Sequence, residues 1–171
     1  RLNLSIFVSH YLLVSLFMVL PVLFLNTGRI EFADHSLYYL ALLGISFIGM
    51  LPFMWLSDRL TDVRVLLVLV VSLALIACWI MGSFAGYWWV LFAALLFFIA
   101  FNLLEVVLPA QVSRQSEAGA RGTAMGVYTT SQFLGIFAGG ALGGWILSFS
   151  DYNTLLSVNV GLIVVWLCVC L

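Results

Sequence analysis

Glu105 is the residue of this sequence whose type and surroundings point most directly to chemistry. It is the only charged residue between Arg64 and Arg114. A carboxylate at the centre of an apolar helix in a bilayer costs about 2.5–3.5 kcal/mol, so it usually faces a cavity or a partner. Asn102 precedes it by one helical turn and Pro109 follows by about one, so all three share a face. This pattern predicts a proton-titrating or substrate-contacting acid; the alternative is a structural carboxylate bonded to a neighbouring helix.

His10 is the second candidate, in the first apolar run of the sequence. Counted along a helix, it lies ~14 Å from Arg1, and Glu105 lies ~13 Å from Arg114. Imidazole titrates near neutral pH, so two such groups at matched depth could exchange protons. The alternative is a neutral imidazole bonded to a hydroxyl, such as that of Tyr11 or Ser15.

Further polar side chains occur at helical spacing in otherwise apolar runs. Tyr128 and Gln132 are one turn apart. Tyr11 directly follows His10, and Asn102 precedes Glu105 by one turn. Residues one turn apart lie on one side of a helix. We therefore predict that these four side chains line a substrate cavity.

Glycine is concentrated in the fifth apolar run, where it recurs every four residues. This spacing places glycines on one side of a helix and permits close approach of a second backbone. The prediction is a packing or gating surface, either static or able to slide during a rocking motion. The glycines concerned are Gly122 with Gly126, Gly135 with Gly139, Gly139 with Gly143, and Gly140 with Gly144.

Several classes of function find no support in the sequence. No Ser/His/Asp grouping and no metal-ligand spacing occurs, so we predict neither an enzyme nor a metal or other cofactor. The formal net charge of −1 gives no basic patch for nucleic acid. The cysteines lie inside apolar runs, where a thiol behaves as a small hydrophobe.

The elements that must position these residues follow from composition. The chain is 65% hydrophobic and 8% charged, against about 45–50% and about 25% in soluble domains. A spanning helix needs about 20 apolar residues, and continuous apolar runs lack the alternation of barrel strands. The fold class is therefore an all-α membrane protein with six transmembrane helices. They are predicted at 2–25, 37–56, 63–81, 87–112, 120–149 and 152–171.

Arginine sets the predicted orientation, since every basic residue is an arginine. An even number of spans returns both termini to one side of the membrane. Basic residues favour the cytoplasmic side, so both termini are predicted there. That side would hold Arg1, Arg59, Arg64, Arg114 and Arg121, against Arg29 alone on the other.

The six predicted helices divide into two inverted sets of three, at 1–84 and 85–171. The run around Pro21 in helix one resembles the run around Pro109 in helix four. Helices two and five carry internal glycines, while helices three and six are nearly featureless and are expected to face lipid. Inverted three-helix repeats within a six-helix bundle are typical of one large class of secondary transporters.

Three sequence runs in helices four and five carry a family resemblance. They are FNLLEVVLP at 101–109, AGARGTAMGVY at 118–128 and SQFLG at 131–135. With the continuation through 143–146, these runs are similar to the bacterial YajR-type transporters of the major facilitator superfamily. The resemblance is specific over about residues 100–146.

The resemblance implies a proton antiporter that exports small molecules by alternating access in the bacterial inner membrane. On this likeness the chain corresponds to helices seven to twelve. Its partners would be the lipid bilayer, a missing N-terminal six-helix half, protons and a small-molecule substrate. Two alternatives stay open: a non-transporting membrane module or fragment that only packs against a partner, and a half-size transporter acting as a dimer.

The loop between helices two and three keeps part of the family's gating signature. Asp58 and Arg59 match it, whereas Met54 and Thr61 replace its glycines. Ion pairs between loops, such as Asp58 with Arg121, are predicted at this end of the bundle. Pairs at a surface are usually worth about 0–1 kcal/mol.

Overall fold

Six long helices make up the computed structural model, which describes residues 1–57, 62–117 and 119–171, with Leu56 and Ser57 described by their backbone only. The predicted all-α class is confirmed, and the helix ends differ from the predicted ones by at most three residues. A short 3-10 turn, Phe32–Asp34, precedes the second helix. The helices are α1 Leu2–Asn26, α2 His35–Ser57, α3 Val63–Ser83, α4 Tyr87–Gln115, α5 Arg121–Phe149 and α6 Tyr152–Cys170.

Short polar side chains begin two of the helices. Asp62 caps α3 by accepting a hydrogen bond from the backbone N–H of Arg64 at 2.8 Å. Asp151 caps α6 by accepting from the backbone N–H of Thr154 at 2.9 Å. Such caps satisfy N–H groups that have no partner within the helix. Gly28, with φ of +66°, supplies the left-handed residue that turns the chain after α1.

Within the described residues, six helices of 19–29 residues are long and apolar enough to cross a membrane. At about 1.5 Å per residue, even the shortest of them approaches the ~30 Å hydrocarbon thickness. The chain is therefore a multi-pass membrane protein.

The central helices are α1 and α4, which contact each other and most of the remaining helices. The packing is matched between the two halves of the chain. α1 packs against α5 as α4 packs against α2, and α6 packs against α1 as α3 packs against α4, while α3 and α6 pack together. Each of these contacts therefore has a counterpart when the first three helices are exchanged with the last three.

Helices α2 and α5 are the least buried, and α6 carries a buried polar residue. The prediction of an unmarked α6 is wrong because it contains Asn159, which is fully buried. The Asn159 amide donates to Ser15 Oγ at 2.8 Å across the α1–α6 contact. Trp166 of the same helix donates its indole N–H to Ser5 Oγ at 3.0 Å. These two contacts fix α6 against the central helix α1.

Candidate functional site

His10, Gln132 and Glu105 meet near the middle of the bundle, one from each of α1, α5 and α4. His10 is buried, and its Nε2 lies 2.8 Å from Nε2 of Gln132. The same imidazole nitrogen lies 3.6 Å from Oε1 of Glu105. The two candidates at matched depth are therefore brought together, with Gln132 as a third member.

The hydrogen bonds of His10 determine which ring nitrogen carries the proton. Nδ1 lies 3.2 Å from the carbonyl oxygen of Ile6. A carbonyl oxygen only accepts, so Nδ1 is the donor and Nε2 of the neutral ring is free to accept. The Gln132 amide N–H then donates to Nε2, which agrees with the short distance between them. The ring of Phe101 contacts the imidazole at a centroid distance of 5.3 Å in an edge arrangement.

Glu105 has room to change partners. About a third of its side chain is exposed, and Oε1 is buried without a hydrogen-bonding partner among the described residues. A carboxylate oxygen at 3.6 Å from Nε2 is just beyond hydrogen-bonding distance. Tyr128, also buried, lies close enough to interact electrostatically with Glu105. A small movement of the carboxyl group would therefore convert this approach into a direct contact with His10.

The other predicted cavity residues lie around this group. Asn102 donates from its amide to Ser46 Oγ on α2 at 2.9 Å. Tyr11 is buried within the hydrophobic core next to His10. Ser15, named above as a hydroxyl that could bond His10, instead pairs with Asn159. The hydroxyl closest to the imidazole is that of Ser9, 3.4 Å from Nδ1.

Three of the glycines let α5 approach α1 closely. A Cβ at Gly135 would overlap the carbonyl oxygen of Phe7, and one at Gly139 would lie 2.5 Å from the carbonyl oxygen of Tyr11. A Cβ at Gly143 would lie 3.2 Å from Met18 Sδ. Any larger residue at the first two positions would force the backbones apart.

The same packing role does not extend to Gly122 and Gly126. A Cβ at either position would meet no heavy atom of the described residues within 4 Å. No neighbouring helix among the described residues packs against this pair, because four-residue spacing places glycines on one face without placing a neighbour against it. The packing or gating role of Gly122 and Gly126 therefore stays a prediction. Gly144 is equally open.

The predicted loop contacts fall mostly beyond the described part of the chain. Asp58 and Arg59 lie outside the described residues, so their role stays a prediction. Arg121 is exposed and begins α5. Within the described residues, no group of three or more His, Cys, Asp or Glu side chains is placed to hold a metal ion.

Several residues of the site were missed by sequence reasoning. Ser46 and Ser9 are single hydroxyls in apolar helices, where serine is common and often bonds only its own helix. The Gln132–His10 contact joins residues 122 positions apart. Only the helix packing reveals it, although the depth of each residue was available from the sequence.

Secondary transporters build their sites from polar and ionisable side chains held between membrane-spanning helices, and the approach of His10, Gln132 and Glu105 inside this bundle fits that class. Comparison with known proteins gives the family. The Major Facilitator Superfamily profile matches residues 2–171. The chain belongs to this superfamily.

Named relatives agree with this family. The chain is 39% identical to the inner membrane transport protein YajR of Escherichia coli (strain K12), over 99% of this chain and 37% of that protein. It is 28% identical to an uncharacterized transporter of Buchnera aphidicola subsp. Baizongia pistaciae (strain Bp), over 97% of this chain and 43% of the relative. The chain thus spans less than half the length of these relatives, and the YajR-like resemblance is confirmed.

Proposed function

We propose that this chain is the C-terminal six-helix half of a proton-coupled transporter that exports small molecules by alternating access. The length of the relatives supports this, since each has room for a second six-helix half. The similarity to an inner membrane transport protein of Escherichia coli supports an inner membrane location. The arginine distribution supports cytoplasmic termini.

The approach of Glu105 to His10 carries the proposal. In the described state His10 is neutral, with Nε2 accepting from Gln132. A proton that arrives from water at Nε2 turns both ring nitrogens into donors, so the Gln132 amide N–H can no longer donate there. Glu105 then moves the short distance needed to pair with the imidazolium. Gln132 turns its amide so that its oxygen accepts. The proton then passes from the imidazolium to the Glu105 carboxylate, which becomes a neutral carboxylic acid while Nε2 again accepts from Gln132. Loss of that proton to water restores the first arrangement.

This exchange couples protons to substrate through the exposed part of Glu105. An ionised Glu105 that pairs with His10 is neutralised locally, whereas an unpaired one presents charge to the cavity. The cavity residues are Asn102, Tyr128, Gln132 and Tyr11, on the faces of α1, α4 and α5. Substrate and proton would therefore compete for one carboxylate, which is a sufficient basis for antiport.

The packing of the bundle supports the repeat boundaries at 1–84 and 85–171. The matched contacts of α1 with α5 and of α4 with α2 are those expected when two three-helix units are related by a twofold axis. In this scheme the close α1–α5 surface at Gly135, Gly139 and Gly143 holds one repeat against the other. The open Gly122–Gly126 face at the arginine-rich end would meet the N-terminal half, near the Asp58, Arg59 and Arg121 loops.

The test is proton-coupled export by the complete encoded protein in inverted membrane vesicles. A panel of fluorescent small molecules serves as substrate probe, with and without an imposed pH gradient. Glu105→Gln keeps the size and polarity of the side chain, so it should fold normally and lose the dependence on the gradient. Glu117→Gln changes an exposed carboxylate in the α4–α5 loop and should behave as the unaltered protein. Gradient-driven export that persists in Glu105→Gln overturns the proposal.

A further inference from the structure

Two buried polar atoms at the end of the bundle opposite the termini are not used by the proposed function. They are Nε2 of His35 and the hydroxyl oxygen of Tyr39, and neither has a hydrogen-bonding partner among the described residues. The His35 side chain is only 7% exposed. Leaving a buried polar group unbonded costs about 1–3 kcal/mol. Buried polar atoms of this kind are usually satisfied by ordered water.

The two atoms belong to one local environment. His35 and Tyr39 are four residues apart on α2, so their side chains are neighbours on one face. Both rings pack against Phe24 of α1, with centroid distances of 5.4 Å for His35 and 5.5 Å for Tyr39. Phe24 itself is fully buried. The polar atoms therefore lie on the same side of α2, around one apolar ring.

The same face of α2 leads towards Glu105. His35, Tyr39 and Ser46 occupy positions i, i+4 and i+11, which fall within about 40° around a helix of 3.6 residues per turn. Ser46 accepts the hydrogen bond of Asn102, and Asn102 lies one turn from Glu105 on α4. Between Tyr39 and Ser46 the chain rises ~10 Å. The buried Leu42 occupies this interval.

Ionisable groups surround the outer part of this face. They are placed in the loop, the 3-10 turn and the first turns of α2 and α4. Arg29 lies over the ring of Tyr87 at 5.5 Å, and Tyr87 shares a hydrogen bond of 3.0 Å with Tyr38. The groups are Arg29, Glu31, Asp34, Tyr38 and Tyr87.

We infer that His35 and Tyr39 hold a buried water site and that this site admits protons from the arginine-poor end towards Glu105. Ser46 and Asn102 form the next polar step, and Leu42 is the apolar barrier that separates the two. The inference rests on the proposed function, because it supplies the proton that Glu105 and His10 exchange. It adds two residues, His35 and Tyr39, whose role is to position water and not to contact substrate.

Radiolytic hydroxyl footprinting of the complete protein in liposomes tests the water site directly. Hydroxyl radicals formed from bound water oxidise the side chains beside it. Tyr39 is partly exposed, so the matched comparison is with His35→Phe, which removes the other polar atom of the water site and keeps an aromatic ring beside Phe24. Tyr39 should be oxidised several-fold faster in the unaltered protein than in His35→Phe. Equal oxidation of Tyr39 in the two proteins overturns the inference, whatever the outcome for export.

Proton delivery is tested by the rise of the Glu105 carboxylic-acid infrared band after a rapid drop in pH. Glu105→Gln identifies the band by removing it. His35→Phe and Tyr39→Phe keep the ring contacts with Phe24 and should slow the rise several-fold. Tyr38→Phe removes a neighbouring hydroxyl that bonds Tyr87 instead, and should leave the rate unchanged.

The two possible failures are distinct in this experiment. If a Glu105 band rises at the same rate in His35→Phe, Tyr39→Phe and the unaltered protein, the inference is overturned and the proposed function stands. If no band is lost in Glu105→Gln, Glu105 does not take up a proton, and both the proposed coupling and this route are overturned.

Discussion

The side-chain amide nitrogen of Gln132 lies 2.8 Å from Nε2 of His10, although the two residues are 122 positions apart. Because Nδ1 of the same ring faces the Ile6 carbonyl, this contact holds one tautomer of the neutral imidazole. It also occupies the nitrogen that Glu105 approaches. Gln132 is therefore the residue that separates the two ionisable groups.

Replacing Gln132 by Met tests that separating role. Met keeps the length of the side chain but cannot donate to Nε2, so His10 and Glu105 should stay associated and exchange protons less readily. We expect a several-fold lower rate of gradient-driven export at unchanged protein level, measured in inverted vesicles. Gln115→Met, at the exposed end of α4, is the control. An unaltered rate in Gln132→Met would contradict the assignment.

Alanine at Gly135 or Gly139 should destabilise the bundle. The added methyl group meets the backbone carbonyl of Phe7 or Tyr11, which cannot move as a side chain can. Overpacking of this kind costs about 1–3 kcal/mol. Thermal unfolding in detergent should show a lower midpoint for both variants. Gly144→Ala meets no heavy atom within 4 Å and should instead be neutral or stabilising by about 0.5–1 kcal/mol.

The buried Ser15–Asn159 pair is expected to make a modest contribution. Polar contacts between membrane helices average about 0.6 kcal/mol in double-mutant cycles, and an unpaired partner costs about 1–3 kcal/mol. Ser15→Ala should therefore lower stability more than Asn159→Leu does, because it leaves the buried Asn159 amide without its partner. Leu fills about the volume of Asn, and the remaining Ser15 hydroxyl can bond a carbonyl of its own helix. The double variant should recover part of the loss. Strict additivity of the two single variants would mean that the pair does not interact.

Acid should weaken the start of α6. Hydrogen bonds from the backbone and the side chain of Thr154 hold the pKa of Asp151 below its usual value. A carboxyl group with a lowered folded pKa stabilises the fold above its unfolded pKa, and this contribution is lost as the pH falls through the folded value. The melting-temperature difference between the unaltered protein and Asp151→Asn should therefore shrink on acidification. A difference independent of pH would show that the charge of Asp151 does not matter.

Much of the fold could be predicted because lipid imposes simple rules. Helix number followed from the length of the apolar runs, and the predicted start of α3 at residue 63 agrees with the structure. His10 and Glu105 could be selected because an ionisable side chain is expensive in an apolar helix, so its presence indicates a partner.

Contacts between helices could not be predicted in the same way. The glycine spacing was equally regular at Gly122–Gly126 and at Gly135–Gly139, yet only the second pair has a helix against it. Asn159 was overlooked because one amide hardly changes the hydropathy of a helix, whereas its partner Ser15 lies 144 residues away. Spacing describes one helix face, and the neighbour of that face depends on the whole bundle.

The contacts of Gly135 and Gly139 limit how the bundle can respond to a proton on His10. The α1 residues they meet, Phe7 and Tyr11, stand on either side of that histidine in sequence. Because the α1 and α5 backbones already touch there, these two helices cannot move closer together when the imidazole gains a proton. The adjustment must be taken up by α4, the helix that carries Glu105, so protonation is converted into movement of one helix in particular.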